Sequence, residues 1–209
     1  MTLPLLYLLS GLCAYLLGGV NPAIVLSKLL YHQDIRTQGS KNPGFTNFKR
    51  VYGNRYAWFV LALDLSKAAI LCCIFCPFFQ NLGESWSLGA AYTGLFTMIG
   101  HVFPAWYGFQ GGKGFLVGAS TIFFIDWRAG LIVFVLWAIL LAATKYVSLA
   151  VIVSAFCAPL VLLLLGGKSA AVYLLCAAGS ALMILRHHEN IGRLLAGTES
   201  KFHLSSKKA

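Results

Sequence analysis

The stretch FLVGASTIFFIDWRAGLIVFVLWAILLAAT, residues 115–144, decides the fold, because it holds two apolar runs on either side of Asp126-Trp127-Arg128. At 1.5 Å per residue, residues 115–125 and 130–144 would make helices of about 17 Å and about 22 Å, against a hydrocarbon core of about 30 Å. They are either two short spans or a re-entrant pair. Two spans are favoured, because a re-entrant pair would hold the charged turn at mid-membrane depth, where ionised side chains are costly. The shorter run then requires the loop before it to dip inward.

Working outward, residues 1–27, 85–112, 146–167 and 169–185 contain no Asp, Glu, Lys or Arg, and about 20 apolar residues suffice for one span. Residues 56–82 add another, interrupted only by Asp64 and Lys67, which lie three apart and can meet on one helix face. With the two short runs, the expected fold is an all-α integral membrane protein of seven transmembrane helices. The whole chain supports this class: 209 residues are 59% hydrophobic and 11% charged, with mean hydropathy +0.78, whereas soluble domains carry about 25% charged residues. A single membrane-embedded domain over residues 1–209 is expected, with a polar cytoplasmic tail over about 198–209 and no internal repeat. Residues 1–27 lack the basic start and small-residue cleavage site of a signal peptide, so a retained first helix is expected.

Basic residues orient the spans. With the N-terminus outside and the C-terminus cytoplasmic, only Arg128 and Lys168 of the 16 Lys and Arg residues lie outside and Lys67 lies in the membrane, leaving thirteen inside. After Asp34, Glu189 and Glu199 are subtracted, the inner side carries the whole formal net charge of +10. Such an excess orients helices and attracts anionic membrane lipids. It also suits anionic small-molecule substrates; nucleic acid is not an expected partner. The six cysteines all fall in apolar segments and read as small packing residues, without a disulfide, redox or metal role.

Three polar segments carry candidate chemistry. In Thr37-Gln-Gly-Ser40-Lys-Asn42-Pro-Gly44-Phe-Thr46-Asn47-Phe-Lys-Arg50, glycine and proline permit tight turns, while Ser40, Asn42, Thr46, Asn47 and Arg50 can converge on one ligand. Arg50 brings a planar fork that grips phosphate with two hydrogen bonds. In the second segment, Gly111-Gly112-Lys113-Gly114 runs directly into the short helix at Phe115. Glycines before a helix expose N–H groups at the positive end of its dipole, and Lys113 adds a full charge, so an anion site is expected. The spacing of a nucleotide P-loop is absent. The third combines Lys145-Tyr-Val-Ser148 with Arg186-His187-His-Glu-Asn190-Ile-Gly-Arg193, in which Arg186, Asn190 and Arg193 recur at i, i+4, i+7 and so share one helix face with His187. His101 reads as a hydrogen-bonded structural histidine.

Absent chemistry narrows the function. Asp64 is the only carboxylate inside a well-defined span, so the clustered oxygen ligands that a magnesium-dependent transferase needs are missing. No serine sits in a nucleophile-elbow sequence. The reaction is therefore expected to need neither metal nor cofactor.

The ordered set Tyr15-Leu-Leu-Gly18, Gly-Ser40-x-Asn42-x-Gly44-x-Thr46-Asn47-x-x-Arg50, Asp64-x-x-Lys67, Gly-His101-x-Phe-Pro104, Gly-Gly-Lys113-Gly, Tyr-Val-Ser148-Leu and Arg-His187-x-x-Asn190-x-x-Arg193-Leu resembles the PlsY family. These are bacterial glycerol-3-phosphate acyltransferases that use acyl phosphate as donor. The resemblance implies seven helices, an external N-terminus, and a site facing the cytoplasm from the bacterial inner membrane. It also implies acyl transfer from acyl phosphate to the 1-hydroxyl of glycerol 3-phosphate, giving lysophosphatidic acid and phosphate, with the acceptor's own phosphate taking the proton. On the matching positions, Arg50, Lys113, His187 and Asn190 are the implied catalytic residues. Ser40, Asn42, Thr46, Asn47, Gly111, Gly112, Gly114, Ser148 and Arg193 are the implied substrate-binding ones.

The second motif departs from the family's usual Phe-Lys-Gly-Gly-Lys-Gly-Val-Ala-Thr: here Gln110, Phe115, Leu116 and Val117 replace a cation, two small residues and a hydroxyl. A membrane carrier of small organophosphates is the alternative from another class, since basic loops and glycine breaks suit it too. A carrier needs polar residues leading to both faces. A diverged paralog with another acyl donor or acceptor is the alternative within the enzyme class.

Overall fold

The structure is a computed structural model that describes residues 2–202. Among the described residues there is no strand, and ten α-helices follow one another: α1 (Leu3–Gly18), α2 (Pro22–Tyr31), α3 (Phe45–Tyr52), α4 (Asn54–Asn81), α5 (Trp86–Val102), α6 (Phe115–Ile125), α7 (Trp127–Thr144), α8 (Val147–Leu165), α9 (Ala170–Leu185) and α10 (His188–Leu195). The segments Leu3–Tyr31, Asn54–Asn81, Trp127–Thr144 and Val147–Leu165 are long and apolar enough to cross a membrane. The pair α9 and α10, bent by 55°, makes a fifth candidate, and α6 is a short apolar helix.

The first apolar segment is broken where the sequence suggested one helix. Residues 19–21 interrupt it because Pro22 starts α2 and Asn21 caps it, accepting a hydrogen bond from the Ile24 N–H at 3.1 Å. The Asn21 amide also donates to the Pro43 carbonyl at 3.0 Å, which pins the first polar segment to the break. At the charged turn only Asp126 stands outside a helix. Its carboxylate caps α7 through the Arg128 N–H and pairs with the side chains of Arg128 at 2.8 Å and Lys168 at 3.0 Å.

Helix α5 is central and packs against α1, α4, α6 and α9. The α1 contact is backbone against backbone: a Cβ added to Gly100 would stand 2.1 Å from the Tyr15 carbonyl oxygen, and one on Gly18 would stand 2.5 Å from that of Thr97. Small residues are how helices approach closely when lipid surrounds them. Ala68, Met98, Val102, Val117, Val151 and Met183 form a buried cluster that fixes the start of α6 against α4, α5, α8 and α9. Helix α7 is peripheral, burying only Ala129 and Gly130. All six cysteines are free.

Candidate active site

The loop entering α6 is shaped by the end of α5. Gly111 N–H donates to the Val102 carbonyl at 3.2 Å and Gly112 N–H to the His101 carbonyl at 3.1 Å, satisfying two carbonyls that a helix end leaves without partners. No other residue fits, since a Cβ on Gly111 would lie 2.0 Å from the His101 oxygen and one on Gly112 2.2 Å from His101 Nε2. Gly114 adopts φ +84°, a left-handed conformation open mainly to glycine. Gly111 and Gly112 thus spend their N–H groups inside the fold.

Lys113 donates to the Asn190 side-chain carbonyl. The Asn190 amide donates in turn to Glu199 Oε1 at 2.6 Å, Ser148 donates to the same oxygen at 2.7 Å, and Arg193 Nε donates to Oε2 at 2.7 Å. Burial raises the Glu199 carboxyl, but the hydrogen bonds from Ser148, Arg193 and Asn190 outweigh it and leave its pKa below the ordinary value. Burial, and next the Arg193 charge, lower the pKa of Lys113.

His187 and Arg186 occupy the bend between α9 and α10, so the expected single helix face of Arg186, Asn190 and Arg193 is not formed. Asn190 and Arg193 share α10, whereas Arg186 caps α9 and lies over the Phe103 ring at 5.6 Å. His187 is buried, with Nδ1 2.8 Å from the Met183 carbonyl, so Nδ1 carries the proton and Nε2 keeps a lone pair.

The first polar segment divides its residues. Asn47 is buried and spends its amide on the loop, accepting from Ser40 N–H at 2.9 Å and donating to the Gln38 carbonyl at 3.0 Å. Ser40 is exposed, while Asn42 and Thr46 are half-buried. Arg36 joins this segment to the second by donating to the Tyr107 carbonyl at 2.8 Å. Arg50 reaches the returning C-terminal segment, donating to the Ser200 hydroxyl at 3.0 Å.

Glu199 escaped the sequence reading, which placed it in the solvated tail. Gly197, at φ +68°, stops α10, and Thr198 N–H donates back to the Arg193 carbonyl at 2.8 Å. The chain then returns: Phe202 N–H donates to the Lys145 carbonyl at 2.8 Å, and its ring lies 4.5 Å from the Lys49 ammonium. The carboxylate among basic side chains draws residues 198–202 inward; residues 203–209 of the expected tail lie outside the described residues. A helix-stop glycine followed by one acid between cationic residues was the available signal.

An apolar cavity of about 530 Å³ is lined by Phe115, Leu116, Gly118, Trp137, Val151 and Met183 among others, and runs along α6 to Ile125. The residues that depart from the family's usual second motif do not crowd Lys113. Gln110 is exposed, Val117 is buried among Met98 and Val151, and the Phe115 ring stands 5.6 Å from that of Trp137.

The family model described as glycerol-3-phosphate acyltransferase matches residues 8–197. Curated relatives named glycerol-3-phosphate acyltransferase include one from Coxiella burnetii (strain RSA 493 / Nine Mile phase I), 35% identical over 95% of this chain and 99% of the relative. Another, from Aquifex aeolicus (strain VF5), is 37% identical over 90% and 95%. The crystal structure of PlsY (YgiH), an integral membrane glycerol 3-phosphate acyltransferase, in its glycerol 3-phosphate form superposes with a TM-score of 0.85 at 34% identity, covering 94% of this chain and 96% of that one. The lysophosphatidic acid form gives 0.81 at 33%, covering 94% and 95%. With its apolar helices, this likeness makes the protein a multi-pass membrane protein, and the match along nearly the whole sequence assigns the chain to the glycerol-3-phosphate acyltransferase family.

Proposed function

We propose that the protein transfers a fatty acyl group from acyl phosphate to the 1-hydroxyl of glycerol 3-phosphate, giving lysophosphatidic acid and inorganic phosphate. The observation that carries this reading is the position of Lys113, held by Asn190 in the cluster around Glu199, two residues before the lining of the apolar cavity begins at Phe115. The polar end suits phosphate; the cavity suits an acyl chain. Lys113 has three N–H donors and commits one to Asn190, leaving two for phosphate oxygens. The first-turn N–H groups of α6 and the Arg50 guanidinium add further donors. Ser40, Asn42 and Thr46 complete the acceptor side, with Asn47, Gly111, Gly112 and Gly114 shaping the two loops.

In the reaction the 1-hydroxyl oxygen bonds to the acyl carbonyl carbon, the bond from that carbon to the donor's phosphate oxygen breaks, and phosphate leaves. The hydroxyl proton passes to the phosphate of glycerol 3-phosphate. A phosphate monoester has its second pKa at about 6, so it is a dianion able to take a proton at neutral pH, whereas His187 spends its Nδ1 on the Met183 carbonyl. His187 and Asn190 then position, and Lys113 and Arg50 stabilise the charge that develops. No metal takes part. The thirteen-to-two bias of basic residues supports seven spans with the N-terminus outside and this site facing the cytoplasm from the bacterial inner membrane.

The test is the purified protein in lipid with acyl phosphate and glycerol 3-phosphate, with chelator present. Lysophosphatidic acid formation at undiminished rate is expected. Phosphate release without acylation of the acceptor would refute the assignment, and a strict need for acyl-CoA would move it to another donor. If His187→Gln abolishes chemistry while leaving acceptor affinity intact, the protein itself supplies the base.

A further inference from the structure

Asp64, Lys67 and His101 form a buried charged cluster that the proposed reaction does not use. Lys67 Nζ lies 2.9 Å from Asp64 Oδ1, donates to the Gly18 carbonyl at 3.0 Å, and lies 2.7 Å from His101 Nδ1. Nδ1 of His101 also lies 3.4 Å from Asp64 Oδ1, so both members of the pair hold that edge of the ring, and Nε2 is its other nitrogen. That Nε2 faces Gly112, leaving no room for a Cβ there. The His101 carbonyl holds the Gly112 N–H from the other side.

Gly112 is thus gripped by both the ring and the backbone of one residue, immediately before Lys113. Charges buried at membrane depth are costly, and an Asp–Lys pair alone would be as well replaced by apolar side chains. What the pair adds is a fixed ring. We infer that Asp64 and Lys67 hold His101 as a positioning residue, whose imidazole sets the Gly111–Gly114 loop and thereby aims the Lys113 ammonium and the first N–H groups of α6 at phosphate. This rests on reading that loop as the anion site.

The test compares His101→Ala and His101→Asn with the unaltered full-length protein in lipid. Asn is included because its side-chain oxygen can still accept from Lys67 while no ring supports Gly112. Both variants are expected to raise KM for glycerol 3-phosphate and the dissociation constant for inorganic phosphate about tenfold, with kcat within about threefold, since small misplacements of binding groups have effects of at least this size. His101→Asn should keep its melting temperature. Gly112→Ala should raise KM in the unaltered background, yet add less than about twofold on top of His101→Ala, because the two changes disturb one contact. Full additivity, or a loss of folded protein with KM and phosphate affinity unchanged, overturns the inference. If the unaltered protein binds no phosphate, the anion-loop reading fails and takes this inference with it; phosphate binding that both His101 variants leave intact overturns this inference alone.

Discussion

The two ends of α6 treat charge in opposite ways. At its C-terminal end, Asp126 takes both available cations, Arg128 and Lys168, and joins the turn before α7 to the turn before α9. Hydrogen bonding from Arg128 is the main cause holding the Asp126 carboxyl well below the usual carboxylate range. At its N-terminal end, Glu199 serves Ser148, Asn190 and Arg193, and Glu189 lies 3.9 Å from Arg193, while Lys113 keeps donors unspent. One end ties each of its cations to a carboxylate. The other leaves Lys113 with N–H donors that no carboxylate takes. Basic residues on a membrane protein therefore need to be weighed against the acids that reach them, and only the unpaired remainder points to a ligand.

Substitutions at the two ends should separate cleanly. Lys113→Ala is expected to have the largest effect, lowering kcat/KM for acyl transfer at least about 100-fold, the scale for removing one charge-stabilising donor, with melting temperature nearly unchanged. Activity within tenfold of the unaltered protein would break the contrast at its centre. Glu199→Ala should come next, since it leaves Asn190, Arg193 and Ser148 without their shared acceptor: a loss of about 1–3 kcal/mol in stability and a fall of about tenfold or more in kcat/KM are expected, with Glu199→Gln retaining part of both. Unchanged melting of Glu199→Ala would mean that the returning segment is not held by this carboxylate.

The smallest catalytic effect belongs to the far end. Asp126→Asn should leave kcat/KM within about twofold while lowering the melting temperature by several degrees, because Arg128 and Lys168 lose their shared partner. A tenfold loss of acyl transfer in that variant would show that the two ends are coupled through α6.

Much of this was legible from residue order. The short helix α6 has the bounds that the apolar run 115–125 suggested, because Gly114 opens it and Asp126 closes it. The Asp64–Lys67 pair follows from their three-residue spacing. The break at residues 19–21 was less visible, since uncharged residues continue through it and only Asn21-Pro22 marks the cap. The bend after Leu185 defeated the i, i+4, i+7 reading, which assumes an unbroken helix. Glu199 was hidden for a different reason: its partners lie 6, 9 and 51 residues away, and no local pattern links them.

The sequence by itself determined the membrane class, the apolar segments and the family, because hydropathy and motif order are carried by neighbouring residues. Only the tertiary structure decided which polar groups are free to meet a ligand. The Gly111 and Gly112 N–H groups and the Asn47 amide are spent inside the fold, Glu199 draws residues 198–202 onto Ser148 and Asn190, and Lys113 spends one donor on Asn190, two residues before the lining of an apolar cavity begins at Phe115. The physical reason is that a hydrogen-bonding group has a fixed number of partners, and whether a segment of the chain or a substrate supplies them depends on contacts distant in sequence.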